Sequence, residues 1–138
     1  MSPYEILSLT TDLKIKATGE TKELVFSEML RGVFESADPE FDFVKKEAEK
    51  VTREVEIKSA NLTNMLVEFL NEAIYFSDEE NVAYMVAEFK KLTDTELKAV
   101  IFGQKVRKFH KKIKVASYRG AKIEEKDGEW EAIIKFEV

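Results

Sequence analysis

Leu62, Met65, Leu66, Phe69, Leu70, Ala73 and Ile74 recur at three- and four-residue spacing. That is the period of an α-helix with an apolar face too broad to be left in water. Such a face has to be covered by another layer, and the flanking chain indicates a sheet. Just before it, Val51, Arg53, Val55 and Ile57 alternate with Thr52, Glu54, Glu56 and Lys58, the pattern of a strand with one wet side. Arg53 is the exception on the apolar side. Asn61 precedes the helical run in the position of an N-cap, and Ser77 to Asn81 ends it.

The same two periods recur nearer the start. After a short strand expected at Tyr4 to Leu7, the apolar residues Leu9, Leu13, Ile15 and Ala17 take odd positions, while Asp12, Lys14 and Lys16 take even ones. Asp12 is therefore expected to point away from the core. Gly19 closes this strand and Thr21 caps a second helix carrying Phe26, Met29, Leu30, Val33 and Phe34, which Asp38-Pro39 stops.

The second half reads as strands at Val82 to Phe89, Leu97 to Phe102, Ile113 to Ile123 and Trp130 to Val138, with turns at Thr93-Asp94-Thr95 and Lys126-Asp127-Gly128. Asp-Gly is a strong hairpin signal. In the last strand Trp130, Ala132, Ile134, Phe136 and Val138 share one face, and Glu137 falls on the other. The expected fold is α+β, two helices packed on a largely antiparallel sheet, in the order ββαβα followed by about four strands. With 138 residues, 44% hydrophobic and ten Phe among them, the chain has the material for one core, and residues 1–138 are read as a single domain.

Composition narrows the chemistry. The chain has no Cys and a single His, His110, so thiolate nucleophiles, redox CxxC pairs and Cys/His zinc sites are excluded. No evident nucleophile accompanies His110, and a non-enzyme is expected. Nothing approaches the roughly 18 apolar residues of a membrane span, and the start MSPYEILSLT lacks the basic and apolar regions of a signal peptide. No membrane association and a cytoplasmic location are expected.

Charge is unevenly distributed. Lys105, Arg107, Lys108, Lys111, Lys112, Lys114 and Arg119 lie in Gly103 to Arg119 with no acid among them; the other 15 basic residues face all 27 acids, a net −12. With Phe109 and Tyr118 interleaved, this segment can follow a phosphate backbone and stack a base. The alternative is a basic hairpin paired with the acidic remainder or with an acidic partner.

Asp38, Glu40, Asp42 and Glu49 fall at positions 1, 3, 5 and 12 of an EF-hand-like count. Phe43 stands where that loop needs glycine, which marks the pattern as coincidence. Asp12 and Glu137 are of more interest. If the first and last strands are neighbours, these carboxylates and the terminal carboxylate of Val138 form an all-oxygen site for calcium or magnesium; otherwise they are a solvated face.

Leu9-Thr10-Thr11-Asp12-Leu13 resembles the His-Thr-Ala-Asp-Ile turn that begins members of the archease family. Leu66-Val67-Glu68-Phe69-Leu70-Asn71-Glu72-Ala73-Ile74-Tyr75 is similar to the family's Leu-Leu-x-Trp-Leu-Asn-Glu-Leu-Leu-Tyr helix. Lys114-Val115-Ala116-Ser117-Tyr118 resembles its Lys-Ala-Val-Thr-Tyr strand, and Ile134-Lys135-Phe136-Glu137-Val138 its Ile-Phe-Asp-Val end. The likeness covers nearly the whole chain in order. It implies an accessory protein for tRNA processing, which promotes guanylylation and turnover of the RNA ligase that joins tRNA halves and influences the specificity of a tRNA-modification enzyme. Ligase, modification enzyme and tRNA are the partners it suggests. The family's metal-binding turn Asp, penultimate Asp and terminal carboxylate carry over to Asp12, Glu137 and Val138. The chain departs from the family at Ser8-Leu9, where the family has Asp-His, at Arg119, where it has His, at Phe69 for Trp, and at Glu137 for Asp.

Overall fold

The computed structural model describes residues 3–9, 12–41 and 50–138. Its elements are β1 (Tyr4–Leu9), β2 (Asp12–Gly19), α1 (Lys22–Ser36), β3 (Pro39–Phe41), β4 (Lys50–Lys58), α2 (Leu62–Glu80), β5 (Val82–Leu92), β6 (Glu96–Phe109), β7 (Val115–Ala116), β8 (Lys122–Lys126) and β9 (Glu129–Glu137). The fold is α+β, with the expected order ββαβα and then strands, plus the three-residue β3.

Both helices start where their caps indicate. Thr21 Oγ1 accepts a hydrogen bond from the Leu24 amide at 3.1 Å, and Asn61 Oδ1 accepts one from the Asn64 amide at 2.8 Å. Helix α2 ends on Asn81 in the left-handed conformation. There the Asn81 amide donates to the Ser77 carbonyl, and its own carbonyl accepts from the Val106 amide, both at 2.8 Å, which ties the helix end to β6.

All strand pairs are antiparallel, and they divide between two sheets. One runs β1-β2-β9, with β7 and β8 both on β9; the other is built around β6, which pairs with β3, β4 and β5. Helix α1 packs on β2 and β5, and α2 on β4, β5 and β7, so each helix touches both sheets. Phe26 of α1, Phe69 of α2 and Phe89 of β5 meet pairwise with ring centroids 5.6 to 6.0 Å apart, joining the layers at one aromatic point. Around them Leu13, Ile15, Met29, Leu30, Met65, Leu66 and Phe136 are fully buried.

The expected alternation holds in β2 and β9. Leu13, Ile15 and Ala17 are buried with Asp12, Lys14 and Lys16 between them, and Ala132, Ile134 and Phe136 are buried opposite. Arg53 also finds a reason to lie among apolar neighbours on β4: its guanidinium sits 5.1 Å from the Phe76 ring centroid and pairs with Glu80 at 2.6 Å.

The second half departs from expectation in detail. Instead of one strand from Ile113 to Ile123, β7 and β8 pair with separate parts of β9, interrupted by the turn at Tyr118 to Gly120, where Gly120 has φ of 76°. Strand β6 runs to Phe109, well beyond Phe102. At Gly103 it passes so close to a bulge in β5 that a Cβ would lie 2.6 Å from the Ala83 carbonyl oxygen. At the β8–β9 hairpin, Asp127 and Gly128 both take positive φ, as a two-residue turn of the predicted kind requires. Among the described residues, no helix is long and apolar enough to cross a membrane.

Candidate functional site

Strand register decides what Asp12 can meet. Strand β2 pairs with β9 over its whole length, and Asp12 is the Cα partner of Glu137. Directly opposed residues of an antiparallel pair project to the same face with Cβ atoms about 4.5–5.5 Å apart, so the two carboxylates are neighbours. Val138, with the terminal carboxylate, follows at once and is exposed. The three groups supply oxygen donors only, a set that suits calcium or magnesium. A protein cation is already there: Lys135 Nζ stands 3.7 Å from Asp12 Oδ2. Ser8 pairs with Lys14, not with Asp12. Among the described residues no three His, Cys, Asp or Glu side chains gather into a group that could hold a metal ion. Thr10 and Thr11 of the adjoining turn lie outside the described residues, as do Asp42, Phe43 and Glu49 of the EF-hand-like count.

The end of β9 is held on its other side by β7. Val115 pairs with Glu137 and Ala116 with Phe136, and the Lys114 amide donates to the Glu137 carbonyl at 2.8 Å. The two-residue strand is fastened from behind by Asn71 of α2. Its side-chain amide donates to the Ala116 carbonyl at 3.1 Å, and its oxygen accepts from the Ala116 amide at 2.7 Å. Asn71 thus stands in for a neighbouring strand. Just beyond, Tyr118 is exposed, and its phenol is pushed above its ordinary value by partial burial and by the Glu68 carboxylate.

The basic segment does not form a hairpin of its own. Lys105, Arg107 and Lys108 lie on β6, Lys111, Lys112 and Lys114 in the connection to β7, and Arg119 in the turn after it. Phe109, expected to be able to stack a base, is half-buried, its centroid 6.3 Å from that of Phe34. Lys112 Nζ lies 3.8 Å from Asp78. Sequence patterning does not reveal that α2 contributes Asp78 and Asn71 to these two regions, because their neighbours are 34 and 45 positions away along the chain.

A helix-bridged pair of antiparallel sheets is a fold already known from solved structures. The chain is similar to the solution structure of Methanobacterium thermoautotrophicum protein 1598, with a TM-score of 0.68, 20% identity and full coverage of both chains. It is also similar to the crystal structure of an archease, possible chaperone, from Thermotoga maritima, with a TM-score of 0.69 and 15% identity over 97% of this chain and 96% of that one. The family described as Archease protein family (MTH1598/TM1083) matches residues 4–138, and the chain belongs to it. Curated relatives agree: the archease of Methanosarcina mazei is 29% identical over 98% of this chain and 95% of that protein, and the archease of Pyrococcus abyssi is 29% identical over 96% of each.

Proposed function

We propose that this chain is a non-enzymatic, cytoplasmic accessory protein of tRNA processing, which activates the RNA ligase that joins tRNA halves and influences the specificity of a tRNA-modification enzyme. Membership of the archease family across residues 4–138 carries the reading, and the description of the Thermotoga maritima structure as a possible chaperone supports a role exercised through another protein. The working surface is the end of β9, where Asp12, Glu137 and Val138 stand beside Lys114 of the basic segment.

Asp12, Glu137 and the Val138 carboxylate are the residues that would hold a calcium or magnesium ion. When bound, the ion supplies positive charge that holds the carboxylates together and can engage an anionic group on a partner. Lys135 supplies part of that charge itself, drawing Asp12 toward β9. Register brings the two acids side by side, and Asn71 acting through β7 keeps the end of β9 in place.

The deciding experiment mixes the protein with the RNA ligase of the same organism and follows ligase guanylylation over many turnovers. Acceleration is expected, weakened by Asp12→Asn and Glu137→Gln. No acceleration together with no detectable complex would sink the activator role.

A further inference from the structure

The basic segment borders a cavity that family membership leaves unexplained. It measures about 220 Å³ and lies where the C-terminal ends of α1 and α2 meet the end of β6. Phe34, Ala37, Ile74, Phe109 and Ile113 make its apolar wall, while Ser77 and Asp78 add polar atoms. Four of the seven cations of the basic segment, Arg107, Lys108, Lys111 and Lys112, complete the lining. Backbone hydrogen bonds hold the position together. Asn81 ties the end of α2 to β6, and the His110 and Lys111 amides donate to the Asp38 and Ala37 carbonyls at 3.0 and 3.1 Å, which anchors the connection onto the end of α1.

We infer that this cavity is a socket for a single unpaired base of RNA, with the adjoining phosphate held by Arg107, Lys108, Lys111 and Lys112. Size points to one ring system, since about 220 Å³ is below the roughly 300–1,000 Å³ that receives a drug-sized ligand. An aromatic wall inside a ring of cations is the arrangement by which proteins take single-stranded nucleic acid, the ring stacking the base and the cations tracking the backbone. The segment's charge is confined to this region in a chain of net charge −5, so attraction for phosphate is local and not a property of the whole surface.

The competing occupant is an acidic peptide that inserts one apolar side chain. Such a peptide matches the cations and the apolar wall, but its side chain offers no donor to Asp78 or Ser77. A base carries amino or ring N–H donors that can reach them. The donor-bearing ligand is therefore favoured.

The test titrates the full chain with adenosine 5′-monophosphate, ribose 5-phosphate and a short Phe-containing acidic peptide, observing the methyl signals of Ile74 and Ile113 by NMR. The nucleotide is expected to shift both signals and to bind roughly 5- to 150-fold more tightly than ribose 5-phosphate, the range that one stacked base contributes. With a single-stranded hexanucleotide, affinity falls as salt rises, and the slope of log affinity against log salt is expected to drop by about one when Lys111 becomes Glu. Ala37→Leu, which fills the socket, should weaken the nucleotide and spare ribose 5-phosphate; should that variant not fold, the comparison of the two ligands on the unaltered protein decides alone. Equal affinity for the two phosphates, no shift at Ile74 and Ile113, or tighter binding of the peptide at the same methyls would overturn the proposal. The titration contains no ligase, so a failed socket leaves the accessory role standing, and a failed guanylylation assay leaves the socket standing.

Discussion

The side chain of Asn71 makes two hydrogen bonds to the backbone of one residue, Ala116, 45 positions away, and so closes the edge of a two-residue strand as a partner strand would. Both bonds are partly buried. Through Ala116 and its neighbours, α2 fixes β7 against the last residues of β9, where Glu137 and Val138 lie.

Replacing Asn71 by Ala leaves the Ala116 N–H and C=O without partners inside the protein. An unsatisfied buried group costs about 1–3 kcal/mol, and a loss of stability in that range is expected from urea denaturation. Amide exchange at Ala116 should accelerate, since its donor bond is the one removed. Asn71→Asp should recover only part, because its carboxylate still accepts from the amide but has nothing to donate to the carbonyl. A stability and exchange rate unchanged in Asn71→Ala would show that β9 alone holds β7.

Lys135 and a divalent cation compete for Asp12. Its ammonium, 3.7 Å from Asp12 Oδ2, neutralises part of the charge that would attract calcium. Calcium is expected to raise the melting temperature, following RT ln(1 + [L]/Kd), about 2.7 kcal/mol at a hundredfold excess over Kd. Lys135→Met should increase the effect at a given calcium concentration, and Asp12→Asn should abolish it. Melting temperatures that stay the same with and without millimolar calcium, in the unaltered protein and in Lys135→Met, would remove the metal site.

The pair of Arg53 and Glu80 makes stability depend on acid. Hydrogen bonding from Arg53, assisted by Tyr84, holds the Glu80 carboxyl below its ordinary 4.5. A group whose native value is depressed stabilises the fold above its unfolded value and loses that contribution as pH falls through the lower native value. The stability gap between the unaltered protein and Glu80→Gln is therefore expected to be full near neutrality and to shrink on acidification below 4.5. Urea midpoints across that interval measure it, and a gap independent of pH would show that the pair contributes through the Phe76 contact instead. Glu96, held down by Lys91, works in the same direction and leaves an acid-sensitive remainder in the variant.

Much of the architecture is written locally. Thr21 and Asn61 announce the helices because a cap satisfies amides two or three residues away, and the wet and dry faces of β2 and β9 follow from alternation along each strand. The Asp127-Gly128 turn is equally local, since both positive φ values belong to residues that tolerate them. Helix boundaries, strand faces and the closing hairpin were therefore legible without coordinates, and so was the solvent side of Asp12.

Tertiary structure alone decided which faces and edges meet. Alternation puts Asp12 and Glu137 off the core but is silent on whether they are neighbours; the β2–β9 register makes them partners. No periodicity could show that Arg53 leans on Phe76, that Asn71 replaces a strand beside Ala116, or that Phe109 lines a cavity bordered by Arg107, Lys108, Lys111 and Lys112. The physical reason is range. Periodicity and capping involve residues within a turn or two of one another, whereas these contacts join elements many residues apart and depend on how all the layers pack together.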